Sequence, residues 1–407
     1  MSGRPYPRVT VTKKCERFLD GGHLWVYGGE IVGREPCENG AIADVYTENG
    51  KYLGSGFYNA HSKITVRILS RNANDRYDDK KFFARRVDYA VRFRLAVLPP
   101  EDFACCRLIH GEADGIPGLT VDRYGPVLVS ECLCLGTDLR KGEIYRALID
   151  RLRACGEEID VLYERSDQPV RKLEGMEDYT GFFAYDGLKS DTDGKVNVTE
   201  NGVVYEVDYV HGQKTGFFLD QKYNRQSVRR LARGKNVLDC FTHTGSFALN
   251  AAMGGAASVT AVDISSDAVA LAKANAARNG LNVDFITADV FDLLTDLKRA
   301  GKAPYDFIIL DPPAFTKSGA TVKSAFRGYK EINLKAMRLL PRGGFLATCS
   351  CSHFMTPELF EKMLDEAAHD ADVRLKQIEA RGAAPDHPYL RGVPETGYLK
   401  FYLFQVL

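Results

Sequence analysis

LDCFTHTGSFAL (Leu238–Leu249) joins the end of an apolar run to a polar Thr-His-Thr-Gly turn and then to a second apolar run. The first run, KNVLDC, reads as a buried strand whose end carries Asp239, and the second reads as a helix. Working outward, SVTAVD ends in Asp263, and YDFIILD ends in Asp311 and runs straight into Pro312-Pro313. Short apolar strands, each finished by an acid and alternating with helical stretches, predict a doubly wound, Rossmann-like α/β domain. Ligands of such domains sit beyond the carboxyl ends of the strands.

A dinucleotide site would place G-x-G-x-x-G after the first strand, with backbone N–H groups facing a pyrophosphate. Here Gly245 is followed by Ser246, Phe247 and Ala248, so that cradle is missing. Asp239 and Asp263 could also serve only as helix caps, as acids at helix N-termini often do. Taken with DPPAF (311–315), the ordered set of acids favours a ligand crevice over capping alone. Three carboxylates without a phosphate cradle suit a cationic, hydroxyl-bearing nucleoside cofactor, which points to S-adenosylmethionine.

A chain of 407 residues has room for two or three domains, and 45% apolar with 27% charged residues is ordinary globular composition. No apolar run approaches the roughly 20 residues of a membrane helix, and MSGRPYPRVTVTKK lacks a secretory apolar core. The ten cysteines include no C-x-x-C pair. That spacing argues against the common zinc sites and predicts mostly buried thiols in a reducing cytoplasm, with no metal. Net charge is zero, yet residues 51–100 hold 11 Lys/Arg against 4 Asp/Glu. Local basicity on a neutral chain suggests a polyanion site.

Residues 1–70 read as β-rich, with VTVTKK, AIADVYT, YLGSGFY and KITVRIL as strands. Trp25, the only tryptophan, is expected to anchor the small core of this module. Asp78 to Leu98 carries apolar positions at spacings of three and four with basic residues between, an amphipathic helix stopped by Pro99-Pro100. Its basic face is either merely solvated or an RNA contact, with Arg85 and Arg86 as the candidates. RLIHGEADGIPGLTVDRYG reads as a turn-rich link into the strand VLVSECLCL. A helix and the strand DVLYERS then complete a compact α+β module. A basic helix after HGQKTGFFLDQK leads into the first strand of the doubly wound sheet.

With DPPAF, RGYKEIN (327–333) and LATCSCSHFM (Leu346–Met355) in view, the whole chain resembles the bacterial RNA cytosine-C5 methyltransferases of the RlmI type, which act on 23S ribosomal RNA of the large subunit. The resemblance implies a PUA-like RNA-binding domain at 1–75, an α+β central domain at 76–195 and a class I methyltransferase domain at 196–407. It implies that Asp239, Phe241, Thr244 and Gly245 wall the methionine end of S-adenosylmethionine. Asp263 would accept from the ribose hydroxyls, Asp289 would face the adenine amino group, and Phe218 and Asp220 would close the pocket. Cys351 matches the family's nucleophile and Asp311 the group binding the target cytosine. The second thiol that other RNA cytosine-C5 methyltransferases carry beside Asp-Pro is replaced here by Ala314-Phe315. Ribosomal RNA is the implied partner, and a homodimer is kept as an option.

Carbon 5 of cytosine is too poor a nucleophile to take a methyl group from a sulfonium. A thiolate adding at carbon 6 makes the ring enamine-like and splits one hard step into two. An acid such as Asp311 would stabilise charge at N3. Pro312 and Pro313 would keep the chain stiff against a flat base, and Phe315 would stack on the extruded ring. Cys349 and Cys351 should point to the same face of a strand, so spacing alone does not choose between them. Two other functions stay open. One is methylation of a guanine amine or ring nitrogen in RNA without covalent catalysis. The other is a catalytically silent RNA-binding assembly factor.

Overall fold

The computed structural model describes residues 4–77, 81–301, 304–316 and 318–407. The chain forms two compact units. The first comprises Met1–Val198, Val207–Leu219 and Pro385–Thr396, and the second Thr199–Glu206, Asp220–Ala384 and Gly397–Leu407. Residues 207–219 and 385–396, expected with the C-terminal domain, therefore cluster with the first unit.

In the first unit, β1 (Arg8–Val11), β2 (Trp25–Tyr27), β3 (Ile31–Arg34), β4 (Ile42–Thr47), β5 (Tyr52–Tyr58) and β6 (Ile64–Ser70) make one sheet in the order β2-β6-β5-β4-β1-β3. The run VTVTKK is not strand throughout, because helix α1 (Lys13–Asp20) begins inside it. The Thr12 hydroxyl caps that helix by accepting from the Cys15 N–H at 3.2 Å. Cys15 and Leu19 then bury against Val9, Val26, Val45 and Val66. Trp25 lies outside this core. Its indole N–H donates to Glu112 at 2.9 Å and the Arg67 guanidinium sits 5.4 Å from its ring, so it is a polar-anchored side chain and not the core residue expected.

Helix α2 (Lys81–Val97) buries Phe82, Phe83, Val87, Ala90 and Val91, the apolar stripe that the spacing predicts. The supposed link at 107–125 instead contains most of two antiparallel strands, β7 (Cys105–His110) and β8 (Leu119–Tyr124). β9 (Val127–Cys132), α3 (Leu135–Asp138), α4 (Lys141–Ala154), β10 (Val161–Ser166), α5 (Val170–Leu173) and β11 (Tyr179–Phe182) follow. The five strands are ordered β11-β10-β9-β8-β7. The hairpin of β12 (Lys195–Glu200) and β13 (Val203–Asp208) comes next in the chain.

The second unit runs α6 (Lys222–Leu231), β14 (Asn236–Cys240), α7 (Ser246–Met253), β15 (Ser258–Asp263), α8 (Ser266–Arg278), β16 (Asp284–Thr287) and α9 (Val290–Ala300). It continues with β17 (Phe307–Leu310), α10 (Val322–Leu339), β18 (Phe345–Ser350), α11 (Pro357–Ala371), β19 (Leu375–Arg381) and β20 (Lys400–Val406). The sheet order is β16-β15-β14-β17-β18-β20-β19, parallel from β16 to β18, with β20 antiparallel to β18. Leu238, Ile308 and Leu346 bury in the core on one face, while Val237, Ile309 and Ala347 bury on the other. Successive residues thus enter opposite cores, which is why these strands read as unbroken apolar runs.

Candidate active site

The strand order puts β15 on one side of β14 and β17 on the other, so the direction of winding reverses between β14 and β17. Beyond the carboxyl ends at such a switch point lies the crevice of a doubly wound sheet. Asp239, Asp263 and Asp311 stand at the ends of those three strands. Cys351 stands one place past the end of β18, which neighbours β17.

The loop from β14 to α7 turns sharply, with φ of +65° at Phe241, +50° at His243 and +81° at Gly245. For Phe241 and His243 this left-handed conformation costs about 1–3 kcal/mol each and persists only where neighbours over-determine it. They do so here. The Thr242 N–H donates to the Val262 carbonyl at 2.9 Å, and the His243 N–H donates to Asp263 Oδ2 at 2.9 Å. At Gly245 an added Cβ would also come within 3.1 Å of the Ala272 side chain. Phe241 is partly buried and Thr244 is buried in the same loop.

Asp239 is fully buried, and its Oδ2 accepts from the Thr242 hydroxyl at 2.6 Å and the Ala248 N–H at 2.9 Å. Its Oδ1 has no hydrogen-bond partner among the described residues. Burial, helped by Asp311 and Asp263, pushes its carboxyl up to about 7. Asp263 also accepts from the Ser265 N–H at 3.0 Å, and Asp289 caps α9 by accepting from the Phe291 N–H at 2.7 Å. Capping is thus part of what these acids do.

Asp220 is buried and accepts from the Tyr398 hydroxyl at 2.6 Å. Asp311 accepts from the Gln221 amide at 3.0 Å, and Asn224 donates in turn to the Gln221 carbonyl at 2.6 Å. Burial, with Asp220 nearby, pushes the Asp311 carboxyl up to about 6. Pro312 is buried and Pro313 exposed. The Phe315 ring packs inward, 4.6 Å from Tyr329 and 6.1 Å from Phe291, and does not stand clear as a stacking platform.

The two cysteines do not share a strand face, because β18 ends at Ser350. Cys349 is fully buried in the core, and burial beside Asp311 pushes its thiol well up. Cys351 lies past the strand and is partly exposed. Lys400, Gln221, Tyr398 and His243 were not anticipated as site residues. Gln221 lies within the segment QKTGFFLDQK, and Lys400 is the one charge in the apolar run YLKFYLF.

Phe218, Arg85 and Arg86 belong to the first unit. Phe218 is partly buried, with Lys214 Nζ 4.9 Å from its ring. Arg85 is exposed and pairs with Asp75 at 2.9 Å. Arg86 is turned inward, donating to the Leu69 carbonyl at 3.1 Å and lying 5.0 Å from the Phe82 ring. Arg94 is fully buried against Asp114 and backbone carbonyls, so it is no part of a solvated basic face.

This fold and this array of acids define a class. The family model for S-adenosylmethionine-dependent methyltransferases matches residues 165–405, and that for a PUA-like domain matches residues 9–71. Solved structures agree on the fold. A SAM-dependent methyltransferase from Streptococcus mutans superposes with a TM-score of 0.81 at 21% identity, covering 98% of this chain and 99% of that one. A methyltransferase complexed with SAH gives 0.82, again at 21% identity and with the same coverage. The relatives are more specific. Ribosomal RNA large subunit methyltransferase I of Shewanella amazonensis is 39% identical over 399 residues, 97% of this chain and 98% of that protein. Its counterpart in Klebsiella pneumoniae is 36% identical over the full length of both. The chain belongs to the S-adenosylmethionine-dependent methyltransferases, in the family of ribosomal RNA large subunit methyltransferase I. Its cofactor is S-adenosylmethionine.

Proposed function

We propose that this enzyme methylates carbon 5 of a cytosine in 23S ribosomal RNA through a covalent adduct at Cys351. The relatives named for the large ribosomal subunit support the substrate. The observation that carries the mechanism is the contrast between two cysteines: Cys349 is sealed in the core, while Cys351 is partly exposed past the strand end. Only the second can meet a base entering the crevice.

The Cys351 thiolate adds to carbon 6, forming an S–C bond and placing electron density on carbon 5. Asp311, with its raised pKa, keeps a protonated fraction near neutrality and donates to N3 as charge builds there. When bound, S-adenosylmethionine supplies the electrophilic methyl group. The carbon-5 proton then passes to water, its bonding pair re-forms the 5,6 double bond and expels the Cys351 thiolate, and the proton shared with N3 returns to Asp311. Pro312 and Pro313 keep Asp311 on a stiff support.

The residues fit the cofactor. The unpartnered Asp239 Oδ1 is a buried acceptor suited to the ammonium of a methionine moiety. Gly245 leaves space where any side chain would crowd Ala272. Asp263 and Asp289 would take the ribose and adenine ends, Phe241 and Thr244 the walls, and Asp220 the entrance. Among the described residues, no helix is long and apolar enough to cross a membrane. The ribosomal RNA methyltransferases among its relatives support a cytoplasmic enzyme acting on ribosomal RNA.

RNA bearing 5-fluorocytidine at the target should become covalently trapped, because fluorine does not leave as a proton does. Trapping should persist in Cys349→Ala and vanish in Cys351→Ala. An adduct mapped to Cys349 would overturn the assignment. Methylation that survives both substitutions would favour amine or ring-nitrogen methylation of guanine instead.

A further inference from the structure

We propose that Lys400 is a positioning residue for the reaction, its ammonium held beside Cys351 so that the thiol is kept as thiolate. The proposal rests on the assignment of Cys351 as nucleophile. Pairing of β18 with β20 sets Lys400 opposite Ser350, the residue before Cys351. Lys400 Nζ donates to the Ser352 carbonyl at 2.6 Å, the residue after Cys351, and to the Tyr398 carbonyl at 2.8 Å. The ammonium is therefore tied to the backbone next to the nucleophile, on a strand that flanks it.

Lys400 is only 4% exposed and has Phe401 and Leu399 as buried chain neighbours. Among the described residues no carboxylate is ion-paired with it. A buried ammonium is costly without a counter-charge, and two neutral carbonyls supply none. An ammonium carries three protons, and the carbonyls take two. Burial lowers the Lys400 pKa to about 8, and the Cys351 charge opposes that shift. At pH 7 the ammonium form still dominates.

Among the described residues, titratable groups around this pair come from α10, β18 and the end of β17. Tyr329 of α10 shares a hydrogen bond with Ser352 at 2.9 Å and feels the Cys351 charge. Cys349 of β18 also feels it, and Cys349 is itself coupled to Asp311 at the end of β17. Among the described residues none of these is cationic, and Lys400 is a group that favours the thiolate. The step balances simply: the Cys351 proton passes to water and Lys400 keeps its three. The sulfur lone pair then forms the bond to carbon 6 and is recovered on elimination.

The alternative is that Lys400 only satisfies two carbonyls, and alkylation of Cys351 in the full chain without RNA separates the two. Mass spectrometry of the Cys351 peptide after iodoacetamide treatment across pH 5–10 should give a midpoint at least one unit below the ~8.5 of an ordinary thiol. A wild-type midpoint at or above that value overturns the proposal, with no variant needed. Lys400→Met should raise the midpoint by a unit or more and lower kcat at pH 7 about tenfold, with recovery at higher pH. Lys400→Arg should stay near wild type. A Lys400→Met protein that binds cofactor but keeps the wild-type midpoint overturns the proposal even if kcat falls. If the midpoint is low but the fluorocytidine adduct maps elsewhere, the ion pair stands and the nucleophile assignment fails.

Discussion

Gln221 donates its side-chain amide to Asp311 Oδ1 at 3.0 Å, and this bond favours the ionised form of the acid proposed to work on the cytosine. A donor to a carboxylate favours the ionised form, so it opposes the burial that raises Asp311 to about 6. Removing the donor raises the pKa further. If the protonated form serves N3, the limb of kcat/KM that falls with rising pH belongs to Asp311. Gln221→Leu should move that limb to higher pH. A pH profile from 5 to 9 reads the shift, since kcat/KM reports the free enzyme. A limb that stays put, or moves down, removes Gln221 from control of Asp311.

Asp239 couples cofactor binding to pH. Its carboxyl is raised to about 7, so below that pH it is largely protonated in the protein without cofactor. An ammonium prefers the carboxylate, so S-adenosylmethionine affinity should climb between pH 6 and 8 and then level. Stability without cofactor runs the other way. A raised carboxyl binds more protons folded than unfolded, so its stabilising contribution is present at low pH and lost as pH rises through about 7. Asp239→Asn should flatten both trends. Calorimetric titration and urea melts at pH 5.5 and 8 measure them, and an affinity flat with pH would detach Asp239 from the ammonium.

The doubly wound sheet was legible because its strands are buried on both faces and end in polar groups, which leaves Asp239, Asp263 and Asp311 as visible stops. The methyltransferase motifs carried the class. Helix α1 was hidden because Thr12 and two lysines continue an alternating pattern, and only the cap at Thr12 turns the chain into a helix. β7 and β8 were hidden by the Gly, Asp and Pro turn residues between them. Strand alternation grouped Cys349 with Cys351, and this failed because alternation ends where β18 ends, at Ser350. Lys400 carried no local signal beyond being a charge in an apolar strand. Its meaning depends on β20 pairing with β18, which brings it to Ser352 across 48 residues of sequence that spacing does not reveal.

The helix α2 arginines separate RNA binding from stability. Arg85 is exposed and paired with Asp75, and Arg92 is exposed and paired with Asp88 at 2.9 Å. Surface pairs of this kind contribute roughly 0–1 kcal/mol, so Arg85→Glu with Arg92→Glu should leave the unfolding midpoint nearly unchanged. If the face meets phosphates, the double variant should bind RNA more weakly, with a shallower salt dependence. For single-stranded RNA, each phosphate that is no longer neutralised lowers the slope of log affinity against log salt by about 0.7. Arg94 should behave in the opposite way. It is fully buried, bonded to Asp114 at 2.6 Å and to the carbonyls of Arg107 and Asp386 at 2.8 Å each. Arg94→Ala strips a buried charge pair of one partner, a destabilisation of about 3–5 kcal/mol. Denaturant melts together with filter binding between 50 and 200 mM salt test both halves. A wild-type salt slope in the double variant would move the RNA track off this helix, while a stable Arg94→Ala protein would contradict the burial argument.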